Sequence, residues 1–186
     1  PFPYGMFLWL VLGGSCLHSL YAVTGWTPLA YVVPANESVW EHFKMGTVAM
    51  ILHGLWHQRR KRGAAPLYWT ARLAGILALN GTIVVIFPSY TALTGRSIVV
   101  VDILSYVLGA LVAAVLVRAL ESRPAAWPRQ ESLALAVLGA ILVMFAVFTA
   151  VPPHAAWFRD GRTGAYGLSV PAPSGPTGGT SSDTSE

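Results

Sequence analysis

His18, His42 and His154, together with Glu37, Glu41 and Asp102, are the side chains of this sequence best suited to chemistry. Two or three imidazoles with one or two carboxylates form a ligand set that zinc and similar divalent ions accept. The same groups serve as general acids and bases, and a carboxylate beside a metal polarises water. The expected metal ligands are His18, His42, Asp102 and His154. The expected acid–base groups are Glu37, Glu41, His42 and Asp102. The sequence has no P-loop, no dinucleotide fingerprint, no G-x-S-x-G and no H-E-x-x-H. Its one cysteine, Cys16, excludes an internal disulfide and a cysteine-rich metal site. Cys16 lies in an apolar run, so burial is expected and a thiol nucleophile is not.

The elements that must carry these residues are set by composition. Of 186 residues, 54% are hydrophobic and 11% charged, where a soluble domain carries about a quarter charged residues. Lipid can take up that much apolar surface; a soluble core of this size cannot. A bilayer core of about 30 Å needs roughly 20 apolar helical residues. Five stretches qualify, at about 4–26, 39–58, 67–87, 97–120 and 132–151. The fold expected is therefore all-α and polytopic, with five transmembrane helices. The first run reads as a span and not as a cleavable leader. The start at Pro1 reads as lacking an initiating Met and a few flanking residues. The second stretch is the weakest, carrying Glu41, His42, Lys44, His53 and His57. A four-span fold with that segment lying in the interface is the alternative.

Lysine and arginine set the orientation. Arg59, Arg60, Lys61, Arg62, Arg72, Arg118, Arg123 and Arg129 gather at one side, eight of the twelve basic residues. That side is expected to be cytoplasmic, with the N-terminus inside and the C-terminus outside. The net charge of +4 forms no basic stripe, so nucleic acid is not an expected partner. Trp26, Trp40, Trp69 and Trp157 fall near the expected interfaces. At 1.5 Å rise per residue, His42, Asp102 and His18 come to lie roughly 5, 7 and 12 Å below the outer surface. Glu37 and Glu41 sit just above them, and His154 can fold over from the end of the fifth span. Ionisable groups at such depth normally face the bundle interior and mark a functional site.

Each residue also has a plainer role. Ser38-Val39-Trp40-Glu41 fits a capping box at the start of the second span. Asp102 would form a buried ion pair with Lys44, Arg96 or Arg159. His18, among Gly14, Ser15 and Ser19, would be a hydrogen-bonded packing residue. His53 and His57 share one helix face beside the basic loop and read as interfacial histidines that, with the loop, attract anionic lipid. Asn80 and Thr82 are expected to bond to neighbouring helices.

Past Val151 the texture changes. Pro152-Pro153 end the fifth helix. Turn signals at Asp160-Gly161 and Thr163-Gly164 predict an ordered cap over 152–170, within a domain of residues 1–170. Residues 171–186 are Pro, Gly, Ser and Thr for the most part, and a disordered tail is expected there.

The run from Pro34 to Lys44, P-A-N-E-S-V-W-E-H-F-K, resembles the hallmark of a family of small bacterial multi-span membrane proteins of unknown function. That family's motif is close to P/A-V-N-E-S-V-W-E-H-L-K, with Ala35 here in place of Val. It resembles the family further in His18 late in the first span and Asp102 early in the fourth. Its terminal motif matches at Pro152-Pro153, Phe158, Asp160, Thr163-Gly164 and Tyr166-Gly167. The resemblance spans roughly residues 10–168. It implies a helical protein of the bacterial cytoplasmic membrane and implies no reaction.

Three functions fit these residues. One is a metal-dependent or acid–base membrane enzyme acting on a lipid or small exported molecule, with a divalent metal such as zinc as cofactor. A second is an ion or solute carrier with Asp102 as its coupling site. A third is an accessory subunit of a membrane complex, for which Gly13, Gly14, Gly46, Ala49, Gly109 and Ala113 offer close-packing faces. Membrane lipids, a second copy of the chain or a larger complex are the expected partners.

Overall fold

The computed structural model describes residues 3–60, 67–124 and 129–169. The expected tail at 171–186, and Lys61 and Arg62 of the basic loop, lie outside the described residues. Five α-helices follow one another: α1 Tyr4–Thr24, α2 Val39–Arg60, α3 Tyr68–Thr94, α4 Val99–Glu121 and α5 Gln130–Ala150. Among the described residues there is no strand, only an isolated bridge between Arg159 and Tyr166. All helices except α2 are long and apolar enough to cross a membrane. Their apolar side chains face outward in number: Leu12, Val85, Val100 and Val143 are each more than 60% exposed. That is the surface of a membrane protein, where lipid covers what water would not.

The third helix overruns its expected end. Pro88 lies inside α3, which continues to Thr94 before Gly95, at φ 70°, closes it with an N–H to the Thr91 carbonyl. The sequence reading stopped at the proline, which has no N–H to give. The added turn is braced by hydroxyls: Ser89 donates to the Val85 carbonyl at 2.6 Å and Thr91 to Phe87 at 2.7 Å. Such local bonds are how a membrane helix tolerates proline. Only residues 95–98 then link α3 to α4.

α3 packs against α2, α4 and α5, and α1 against α2 and α4. Leu79 of α3 is the wedge. It is fully buried, with Gly46 of α2 on one side and Gly109 of α4 on the other. A Cβ at Gly109 would stand 2.9 Å from the Leu79 carbonyl oxygen, a backbone atom that moves only with its helix. Gly109→Ala is accordingly expected to cost about 1–3 kcal/mol, read as a lower unfolding temperature in detergent. An unchanged midpoint would mean that the helices are not in close contact there.

α2, weakest by hydropathy, is held inside the bundle along its length. Trp9 donates to the Ala49 carbonyl at 2.9 Å, Asn80 to Thr47 at 3.1 Å and Tyr68 to the Gly54 carbonyl at 2.5 Å. Asn80 thus makes the expected bond between helices. Thr82 does not, since its hydroxyl donates to Ala78 of its own helix. Two of the polar residues that lower the hydropathy of α2 are paired with each other. Lys44 and Glu41, both buried, form an ion pair at 2.7 Å. Lys44 spends its other two protons on the Ala30 carbonyl at 2.8 Å and the Thr149 hydroxyl at 2.5 Å.

A second ion pair ties the other end. Arg72 is fully buried, stacks on the Tyr68 ring at 3.5 Å and meets Glu121 of α4 at 2.8 Å. Glu131 of α5 accepts the N–H groups of Trp69 and Thr70, at 2.7 and 2.9 Å, and so caps α3. His53 and His57 stack at that end, 5.5 Å between rings. Trp69, in the first turn of α3, is 8% exposed, its ring packed inside the bundle. Trp40, in the first turn of α2, packs on Phe145, Phe148 and Phe158 under the cap. One placement differs from expectation: Cys16 is exposed on α1, because the apolar run around it faces outward and not into a core.

Candidate metal centre

The loop that carries the N-E-S-V-W-E-H run is shaped by its own side chains. Asn36 accepts the Ser38 N–H at 2.9 Å, an Asx turn that brings Ser38 to the head of α2. The Ser38 hydroxyl then accepts the Glu41 N–H at 3.3 Å, which is half of a capping box. The other half is missing. Glu41 turns inward to Lys44 and to the Ala35 N–H at 2.8 Å. Thr149 lies 3.2 Å from its second oxygen. Both oxygens of Glu41 are thus engaged inside the bundle.

The cap fixes the next residue. Asp160 is buried and accepts three backbone N–H groups: Glu37 at 2.9 Å, Arg162 at 2.7 Å and Thr163 at 2.6 Å. The Gly161 N–H returns to the Glu37 carbonyl at 3.3 Å, and Asn36 donates to the Gly167 carbonyl at 3.3 Å. Glu37 is thus held by its backbone on both sides. Burial pushes the Asp160 carboxyl up, but the three amides outweigh it and hold the group below the usual carboxylate range.

Glu37 is directed at two histidines. Its Oε2 lies 3.5 Å from His18 Nε2 of α1 and 3.6 Å from His42 Nε2 of α2. The imidazole rings are 5.2 Å apart at 45°. One ligand atom from each of the three residues falls within 4.8 Å of the others, and among the described residues no other group of three His, Cys, Asp or Glu does so. All three side chains are about a third exposed, at 31%, 35% and 31% for His18, Glu37 and His42. The hydrogen bond with His18, against the effect of burial, holds the Glu37 carboxyl below the usual range.

The tautomer of His42 decides what this cluster can do. Its Nδ1 is 2.7 Å from the Ser38 carbonyl oxygen. A carbonyl only accepts, so Nδ1 carries the proton. In the neutral ring the lone pair then sits on Nε2, aimed at the oxygens of Glu37. Lone pair against lone pair is repulsive unless something positive lies between. A proton on Nε2 supplies it, and so does a metal ion. A backbone carbonyl on the far nitrogen is the usual partner of a metal-bound histidine. On a tetrahedral zinc with ligands at about 2.0–2.1 Å, donor atoms stand roughly 3.3 Å apart. The two separations to Glu37, 3.5 and 3.6 Å, are within a few tenths of an ångström of that value, and the three ligand atoms all lie within 4.8 Å of one another.

These residues fall inside the region, residues 5–168, that matches the model of a family of unknown function, DUF6512. The chain belongs to that family. The DUF6512 match runs from the first turn of α1 through the cap and so includes His18, Glu37, His42 and Asp160. No curated protein and no solved structure matches the chain.

The other expected site residues are elsewhere. Asp102, in the first turn of α4, is met by hydroxyls and not by the expected Lys44, Arg96 or Arg159. It accepts from Tyr90 and, at 2.6 Å, from Ser97. It closes the α3–α4 hairpin, and Tyr90 also accepts the Ile98 N–H at 3.1 Å. His154 packs on the Tyr166 ring, 4.9 Å between centroids. It lines a groove of about 520 Å³ with Ala150, Pro152 and Leu168. Sequence reasoning gave Glu37 the task of polarising water and did not set it between His18 and His42. It named Asp160 in a turn and in the terminal motif, but not its contact with Glu37. The joint presence of both motifs was the available signal.

Both depressed carboxyls have a consequence for acid stability. A group whose folded pKa lies below its unfolded value contributes stability that is complete above the unfolded pKa. That contribution is lost as pH falls through the folded one. Stability is therefore expected to hold down to the ordinary carboxylate range, at about pH 4, and to fall below it. Thermal unfolding against pH checks this, and Asp160→Asn should flatten the fall. An equally steep fall in that variant would mean that Asp160 has no part in it.

Proposed function

We propose that the chain crosses the membrane five times, with its N-terminus in the cytoplasm. His18, Glu37 and His42 then hold a divalent metal such as zinc at the extracytoplasmic face. The five-span reading is supported by α2, whose 22 residues extend about 33 Å at 1.5 Å each. Its bonds to α1 and α3 along that length disfavour a helix lying in the interface. The orientation is supported by the basic residues around α2–α3 and α4–α5. By the resemblance noted above, the membrane is the cytoplasmic membrane of a bacterium.

The observation that carries the metal reading is the convergence of two imidazole nitrogens on one carboxylate, with the His42 tautomer set by Ser38. Three protein ligands leave a coordination position for water or substrate, the arrangement of catalytic zinc sites. A divalent metal held by His18, Glu37 and His42 would supply a nucleophile near neutral pH by acidifying a water bound to it. The chain's own part is to hold the ligands, fix the His42 tautomer and keep the site at the membrane surface. The substrate is then a lipid of the outer leaflet or a small exported molecule, and the reaction a hydrolysis. The carrier reading is disfavoured because both oxygens of Asp102 are engaged by Tyr90 and Ser97.

Metal analysis of protein purified without chelator tests this. One zinc per chain is expected, and none in His42→Ala of unchanged helix content. Metal-free wild-type protein that takes up no added zinc would reject the reading.

A further inference from the structure

The two motifs at opposite ends of the chain meet on Glu37, and that meeting carries more than packing. Glu37 is 123 residues from Asp160 in sequence. Its side chain points to His18 and His42, while its N–H and carbonyl are both taken by the cap. The Asx turn of Asn36 shapes the loop preceding α2 through the Ser38 N–H, and the cap adds bonds to the two groups that turn leaves open, the Glu37 N–H and carbonyl.

We propose that docking of the cap assembles the metal site: Asp160 and Gly161 position Glu37 as its carboxylate ligand, so that metal binding and cap docking are one coupled equilibrium. This rests on the metal reading above. Asp160 is a positioning residue here, since it touches no metal and acts through the Glu37 backbone. A carboxylate that gathers three amides is the part of the cap that a neutral substitute reproduces worst. Asparagine at 160 keeps one acceptor oxygen, and its NH₂ faces N–H groups that have lost theirs. Linkage makes the effect reciprocal. A cap that favours the metal-bound loop must itself be held more tightly once the metal is in place.

Gly164 and Gly167, at φ 73° and 62°, let the cap return on itself toward the loop. In this conformation a side chain is strained, and a Cβ at Gly167 would also stand 2.9 Å from Pro152. The turn that presents Asp160 is therefore built to one shape. The T-G-x-Y-G part of the terminal motif has a physical reason: it seats the cap, and the cap seats Glu37.

Two measurements on the full chain in detergent test the proposal. The first is zinc titration of wild-type protein and of Asp160→Asn. A loss of affinity of about 10–100-fold is expected, the usual cost of removing the partner that orients a metal ligand. Equal affinity in the two proteins overturns the proposal. The second needs no variant. Amide hydrogen exchange of the unaltered chain, with and without zinc, follows the N–H groups of Glu37, Arg162 and Thr163, all donated to Asp160. Zinc is expected to slow all three, and His42→Ala to abolish the slowing. Exchange at these amides that zinc leaves unchanged, in protein shown to bind zinc, overturns the coupling while the metal reading stands. Wild-type protein that binds no zinc overturns both.

Discussion

Lys44→Met is expected to lower stability by about 3–5 kcal/mol, the cost of breaking a buried ion pair from one side. Lys44 is fully buried, and its ammonium meets Glu41, Thr149 and the Ala30 carbonyl. Removing it strands the Glu41 carboxylate among apolar helices, with the Ala35 N–H and Thr149 as its remaining partners. It also frees the Ala30 carbonyl, which no longer has a donor from Lys44. The double replacement Lys44→Met with Glu41→Gln should recover a large part of the loss, because no charge is then left unpaired. Unfolding in detergent followed by circular dichroism measures all three proteins. A single variant as stable as wild type would show that the ammonium is not buried among these partners. A double variant no better than the single would show that the charge itself is not what matters.

The second large effect concerns the metal. Glu37→Ala and His42→Ala are each expected to weaken zinc binding by more than about 100-fold, beyond what the loss of a mere orienting partner costs. Their effects on folding should be small, because each side chain is about a third exposed. Glu41→Gln should behave in the opposite way, with stability lost and zinc affinity retained. Asp102→Asn should leave zinc affinity unchanged, its carboxylate being tied to Tyr90 and Ser97. Competition against a chromophoric chelator reads these affinities. Should Asp102→Asn and His42→Ala weaken binding alike, the ligand set would be other than the one named.

The pattern of these effects reflects what sequence can carry. Helix number was legible because lipid demands long apolar runs, and four of the five announce themselves by hydropathy alone. α2 was legible by length alone, and its polar residues left a four-span fold as the alternative. Glu41 and Lys44, three apart on one helix, were in plain view. Their third partner, Thr149, was not, because it comes from a helix 105 residues away. Depth along an axis was also legible, and it brought His18 and His42 together correctly. Azimuth was not. Asp102 shares their depth by count, but it turns to Tyr90 and Ser97, and the sequence does not tell which way a helix is rotated. The extension of α3 past Pro88 hid Tyr90 as a helical neighbour of Asp102. The third member of the cluster is Glu37, which depth counting set only just above the histidines. It comes from a loop, and its place is set by Asp160 in a cap that hydropathy says nothing about.

X-ray absorption of the zinc-loaded protein tests the central claim most directly. The first shell should hold two imidazole nitrogens at about 2.0–2.1 Å, with oxygen completing it. One imidazole should be lost in His18→Ala and one in His42→Ala. A shell made of oxygen alone, or one unchanged in both variants, would mean that the two histidines and Glu37 do not form a metal site.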